Sequence, residues 1–100
     1  MSDSKWRKAL LALAAPELAI RGYRWKLVAD ERVFATDVVG ERDIEQSHLR
    51  DGRFQPFAYK EIEWLEALTA QPEEVAAALA QVGKFAVQPC AAGIRLLGYG

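Results

Sequence analysis

Cysteine and histidine are almost missing from this chain: Cys90 and His48 are the only residues of each kind. A single cysteine excludes any internal disulfide, and one cysteine with one histidine cannot close the usual four-ligand zinc shell. The folded protein is therefore expected to need no metal and no cofactor. Long apolar runs are missing too. A membrane-spanning helix needs about 18 or more consecutive apolar residues, and the best stretch, Ala9–Ala15, is cut at once by Pro16 and Glu17. Read as a signal peptide, residues 1–15 lack the polar region and cleavage site that should follow, so an amphipathic first helix is preferred. Without a disulfide or a leader, the expected compartment is a reducing cytoplasm.

Several chemistries lose their signatures. The sequence contains no G-x-G-x-x-G, no phosphate loop, no G-x-S-x-G and no H-E-x-x-H. Phosphate needs close backbone approach, and nucleophiles and metals need fixed geometry, so these absences disfavour the commonest nucleotide, hydrolase and zinc-protease activities. No catalytic residue can be assigned, and whether the chain is an enzyme is left open.

What is present is ordinary for a globular domain. One hundred residues, 51% of them hydrophobic and 27% charged, suit one domain spanning residues 1–100. The net charge of −1 is unevenly spread. Residues 1–29 carry six bases against two acids, and residues 30–74 carry twelve acids against five bases. Mixed signs of this kind give no basic stripe for nucleic acid, which is not the expected partner.

Asp3 or Ser4 can cap a first helix whose apolar positions Trp6, Leu10 and Leu13 fall on one stripe. Pro16 should end it, and residues 17–22 read equally as helix or strand. From Tyr23 the period becomes two: Tyr23, Trp25 and Leu27 alternate with Arg24, Lys26 and Val28, as in a half-buried strand. Asp30-Glu31 offers a reversal into a second strand over Arg32–Val39. Gly40–Gly52 follows as a polar connection, with a helical turn or two possible through Asp43–Arg50. Phe54–Leu65 reads as a third strand, its phase slipping near Lys60. Pro72, Glu73 and Glu74 open a second helix that Gly83 closes, with Val75, Ala78, Leu79 and Val82 as the buried stripe. Lys84–Gln88 and Ile94–Tyr99 supply two last strands. The predicted fold is α+β in two layers, order α-β-β-β-α-β-β, with two helices on one face of a mainly antiparallel sheet. Trp6, Trp25 and Trp64 should converge in its core with Leu10, Leu13, Leu27, Ile62, Leu79 and Val82.

Candidate chemistry is sparse. Glu45 and His48 form Glu-x-x-His, but a di-metal site needs two such pairs on bundle helices. Cys90 lies in an apolar Pro-Cys-Ala-Ala-Gly context that does not activate a thiol. Glu61, Glu63 and Glu66 read as solvent-facing carboxylates rather than an acid–base pair. Arg21-Gly22-Tyr23 starts like an RNA-binding strand, yet the following residues and the element order depart from that pattern. Basic and aromatic residues interleave along Tyr23–Lys26, as on a base-stacking platform, but alternation in any half-buried strand does the same.

Lys5-Trp6-Arg7 at the first helix and Tyr59-Lys60-Glu61-Ile62-Glu63-Trp64 further on together resemble a family of short bacterial proteins of unknown function. These open with a Lys-Trp-Arg helix and carry a Lys-Glu-Ile-Glu-Trp strand. The resemblance spans about residues 5–65; it implies bacterial origin and a compact accessory domain, and assigns no site residue.

The expected function is a non-enzymatic protein-interaction or accessory module. The rival is a small-ligand binder or enzyme working through the Gly40–Arg53 loop, with Tyr59, His48 and the loop arginines. For either, the candidate binding residues are Arg42, Asp43, Glu45, His48, Arg50 and Arg53, because so dense a mixture of charges suits a recognition loop.

Overall fold

A computed structural model describes residues 1–36, 44, 48–51 and 54–98, with backbone alone for 48–51 and 54–57. Helix α1 spans Asp3–Leu13. Its cap is Ser2, not the predicted Asp3 or Ser4, with Ser2 Oγ accepting from Lys5 N–H at 3.2 Å. That bond satisfies one of the orphan donors of the first turn. Trp6, Ala9, Leu10 and Leu13 form its buried face. Pro16 ends the helix as predicted: it opens a single 3₁₀ turn, Pro16–Leu18, closed by Ala19 in the left-handed region at φ 52°. Residues 17–22, read equally as helix or strand, divide between that turn and a strand beginning at Gly22.

Among the described residues the sheet is five-stranded and wholly antiparallel. Its strands are β1 (Gly22–Leu27), β2 (Val33–Thr36), β5 (Ile62–Leu68), β6 (Val87–Cys90) and β7 (Gly93–Leu97), in spatial order β2-β1-β5-β7-β6. A separate antiparallel pair joins β3 (His48–Asp51) to β4 (Phe54–Ala58). The predicted α-β-β-β-α-β-β order holds for α1, the five sheet strands and α2, which spans Pro72–Val82 between β5 and β6. Pro72 and the acids Glu73 and Glu74 begin α2 as expected, and Gly83 follows it.

Four readings need correction. Of the helical turn or two considered possible through Asp43–Arg50, positions 48–50 belong to strand β3 instead, and 43 and 45–47 lie outside the described residues. The single strand expected over Phe54–Leu65 is β4, a 3₁₀ turn at Tyr59–Glu61, and β5. The turn accounts for the phase slip near Lys60. The last two strands start or end elsewhere than predicted: Pro89, Cys90 and Gly93 join the ladder, so that Ala91-Ala92 alone make the turn. Finally, the three tryptophans do not share one core.

The reason is a second irregularity. Lys26 pairs with Trp64, but Leu27 pairs with Ile62, so Glu63 is an extra residue in β5. Such a bulge reverses the alternation. Ile62 and Leu65 therefore both point toward the helices, with 0% and 1% exposure, while Trp64 turns to the opposite face and is half-buried. The core contains Trp6, Leu10, Leu13, Tyr23, Trp25, Ile62, Leu65, Leu79 and Leu96. Leu27 is partly buried at its edge and Val82, assigned to the core, is 40% exposed. Trp25 donates from Nε1 to Thr36 Oγ1 at 2.8 Å, and Tyr23 Oη donates to the Leu13 carbonyl at 3.4 Å. Both rings thus bury their bodies with the polar end engaged. Burial without a charged neighbour pushes the Tyr23 phenol well above its usual range.

Candidate functional site

Along a strand successive side chains alternate between faces, so the face turned away from α1 and α2 can be read from the register. On β1 it carries Arg24 and Lys26, on β5 Trp64 and Glu66, on β7 Arg95. Arg24, Glu66 and Arg95 are mutually opposite on three adjacent strands, because Arg24 pairs with Glu66 and Glu66 with Arg95. Directly opposed residues have Cβ atoms about 4.5–5.5 Å apart, which brings opposite charges into contact.

Glu66 is the centre. It is only 4% exposed, and a buried carboxylate must be paired or suffer a large desolvation cost. Arg95 supplies two bonds to Oε2, from Nε at 3.0 Å and Nη2 at 2.7 Å. Arg24 approaches Oε1 with its Nε at 3.3 Å, an ion pair too poorly aligned to be a hydrogen bond. The Arg95 guanidinium also lies 4.3 Å from the centre of the Trp64 ring, a close cation–π contact. Arg95 reaches Trp64 along the diagonal, since Trp64 itself pairs with Leu97. Lys26 donates to the Leu27 carbonyl at 2.8 Å and lies 3.6 Å from Glu63 Oε2.

Nothing local in the sequence announces this cluster. Glu66 was expected to be solvated and is buried instead. Glu61, in the 3₁₀ turn, is exposed as predicted, and Glu63 is half-exposed. The usable signal was the alternation itself: Arg24 and Lys26 share one face of a strand whose aromatics face the core. That separation also dissolves the base-stacking pattern along Tyr23–Lys26, because Tyr23 and Trp25 are 1% exposed and their rings meet each other at 5.7 Å. Their faces are closed to a ligand.

Of the candidate binding residues, Arg42, Asp43, Glu45 and Arg53 lie outside the described residues. His48 and Arg50 fall in β3, whose backbone alone is described, with His48 paired to Ala58. Tyr59, considered as a ligand contact, is wholly buried. Cys90 is a free, half-buried thiol. Among the described residues no three His, Cys, Asp or Glu side chains gather as a metal site, and no helix is long and apolar enough to cross a membrane. A concavity of about 270 Å³ lies where α2 meets β6, lined by Ala76, Leu79, Ala80, Gly83, Lys84, Phe85 and Val87. It is smaller than a typical ligand pocket and brings together no titratable group except Lys84.

No family model, curated protein or solved structure matches this chain.

Proposed function

We propose that this chain is a non-enzymatic protein-interaction module that docks through the sheet face turned away from its helices. The observation that carries this reading is the Arg24–Glu66–Arg95 row with Trp64 beside it. Tryptophan and arginine are the residues most enriched at interaction hot spots, where they supply large area and directional bonding at small entropic cost. Here both are half-exposed on central strands, and Glu66 and the Trp64 ring hold Arg95 in place. A rigid presenting surface loses little freedom on binding. Glu63 and Glu66 interrupt the cations, which suits a protein partner better than a phosphate backbone, whose recognition rests on accumulated positive charge. Small α+β chains of this kind often serve as accessory components, a point of fold-level analogy.

The test is site-specific photocrosslinking in the cell. Ala35 is exposed on β2 and pairs with Arg24, which places it on the proposed docking face. Glu74 is exposed on α2, on the other side of the sheet. A photoreactive residue at 35 should give a discrete protein adduct that is absent from position 74. Adducts at 74 alone, or none at either site, would reject this face as the docking surface.

A further inference from the structure

We infer that the partner presents an acidic segment, with a carboxylate side chain seated between Arg24 and Arg95; this rests on the docking face proposed above. Each guanidinium has five N–H donors. Arg95 commits two of its nitrogens to Glu66, and Arg24 directs only Nε toward it. Among the described residues nothing engages the Nη groups of Arg24 or the Nη1 group of Arg95. Their side chains are 43% and 35% exposed, so these donors reach solvent.

The charge balance points the same way. Two guanidinium groups share one buried carboxylate, leaving an excess positive charge on the row, whereas Lys26 beside it is matched by Glu63. A second carboxylate arriving from outside meets two arginines already oriented by the first. Arginine binds a carboxylate through paired, parallel N–H bonds, a geometry lysine cannot copy. Arg24 and Arg95 sit on strands separated by β5, hence about 10 Å apart at the backbone. That span suits one or two carboxylates on a protein segment, not a continuous run of phosphates. Beside the row Trp64 is half-buried, so it offers an apolar contact next to the acid. The occupant is therefore a segment with Asp or Glu flanked by apolar side chains.

The protein has a built-in reporter. Trp6 and Trp25 are 0% and 1% exposed, so a ligand on this face alters the emission of Trp64 alone. We would titrate the intact chain at low salt with a Glu-Leu repeat peptide, its Gln-Leu counterpart, and an oligothymidylate of the same charge. The expected result is a saturable change with the Glu-Leu peptide only. It should disappear in Trp64→Phe and weaken about tenfold or more in Arg24→Gln and at high salt. Arg24→Gln is chosen because it leaves the Arg95–Glu66 pair intact, and circular dichroism would verify its fold. Equal or tighter binding of the oligothymidylate, no response to the Glu-Leu peptide, or binding undiminished in Arg24→Gln would each overturn the inference. A protein adduct at position 35 with no peptide response would do so while leaving the interaction reading standing.

Discussion

Arg95 covers one side of the Trp64 ring, its guanidinium carbon 4.3 Å from the ring centre, while the same group holds buried Glu66 through two bonds. One side chain thus serves a charge and an aromatic surface together. Arg24, on the other flank of Glu66, makes one misaligned contact among the described residues, and its side chain is 43% exposed. Register places both arginines equivalently opposite Glu66, yet their energetic weights should differ.

Replacing Arg95 with Ala should therefore destabilise the fold by about 1.5–3 kcal/mol, the range for hydrogen bonds to charged groups. Arg24→Ala should cost under about 1 kcal/mol, as for a largely exposed pair. Chemical denaturation of the two variants would check the ranking. Equal losses would show that Glu66 is held symmetrically in solution.

The tryptophans should separate in the same way. Trp6→Ala and Trp25→Ala remove wholly buried rings and should each cost about 3–5 kcal/mol, a large share of the stability of a small domain. Trp64→Phe keeps a ring on a half-exposed face and should cost less than about 1.5 kcal/mol. Acrylamide should quench one tryptophan readily and two poorly. Removing the accessible fraction by Trp64→Phe alone would verify the assignment.

The division between these rings marks how far the sequence can be read. The core position of Trp25 is legible because Tyr23, Trp25 and Leu27 alternate without interruption. Trp64 escapes the same reading because a single inserted residue, Glu63, reverses the faces on either side of it, and neither Glu63 nor its neighbours is a glycine or proline that would mark the bulge. The α2 start was legible in Pro72-Glu73-Glu74, since fixed φ and acids near the helix dipole are local properties. The Glu66 cluster was not. It depends on three strands from distant parts of the chain meeting in one register, and in sequence Glu66 looks like any solvated acid. Strand order likewise had no local signature, because β5 enters between β1 and β7 only through long-range pairing.

Ala19 is exposed and adopts φ 52°, ψ 40°, a conformation costing an L-residue with a Cβ roughly 1–2 kcal/mol. Glycine relieves that cost but makes the unfolded chain freer by about 0.4–1 kcal/mol. The first effect is the larger, so Ala19→Gly should stabilise the protein by up to about 1 kcal/mol. A raised melting temperature with an unchanged denaturant slope would verify this. A lowered one would show that the turn after Pro16 relaxes away from the left-handed region.

The β1–β2 reversal should carry a pH signature. Asp30 accepts hydrogen bonds from Arg32 N–H at 2.9 Å, Nε at 3.1 Å and Nη2 at 2.8 Å. These bonds, the side-chain ones foremost, stabilise the ionised carboxylate and hold its pKa down at about 2, against an ordinary 3.8. Because the folded value is the lower one, the unfolded state takes up the proton first as pH falls. The stabilisation from Asp30 is therefore complete above the unfolded value and disappears as pH drops through the folded one. Between roughly pH 4 and 2 the wild-type protein should lose stability more steeply than Asp30→Asn, whose side chain does not titrate. Above pH 5 the two curves should run parallel, with the variant lower. Carboxyl carbon shifts recorded by NMR should place the Asp30 midpoint at about 2. An ordinary midpoint near 3.8 would mean that Arg32 does not hold the turn closed in solution.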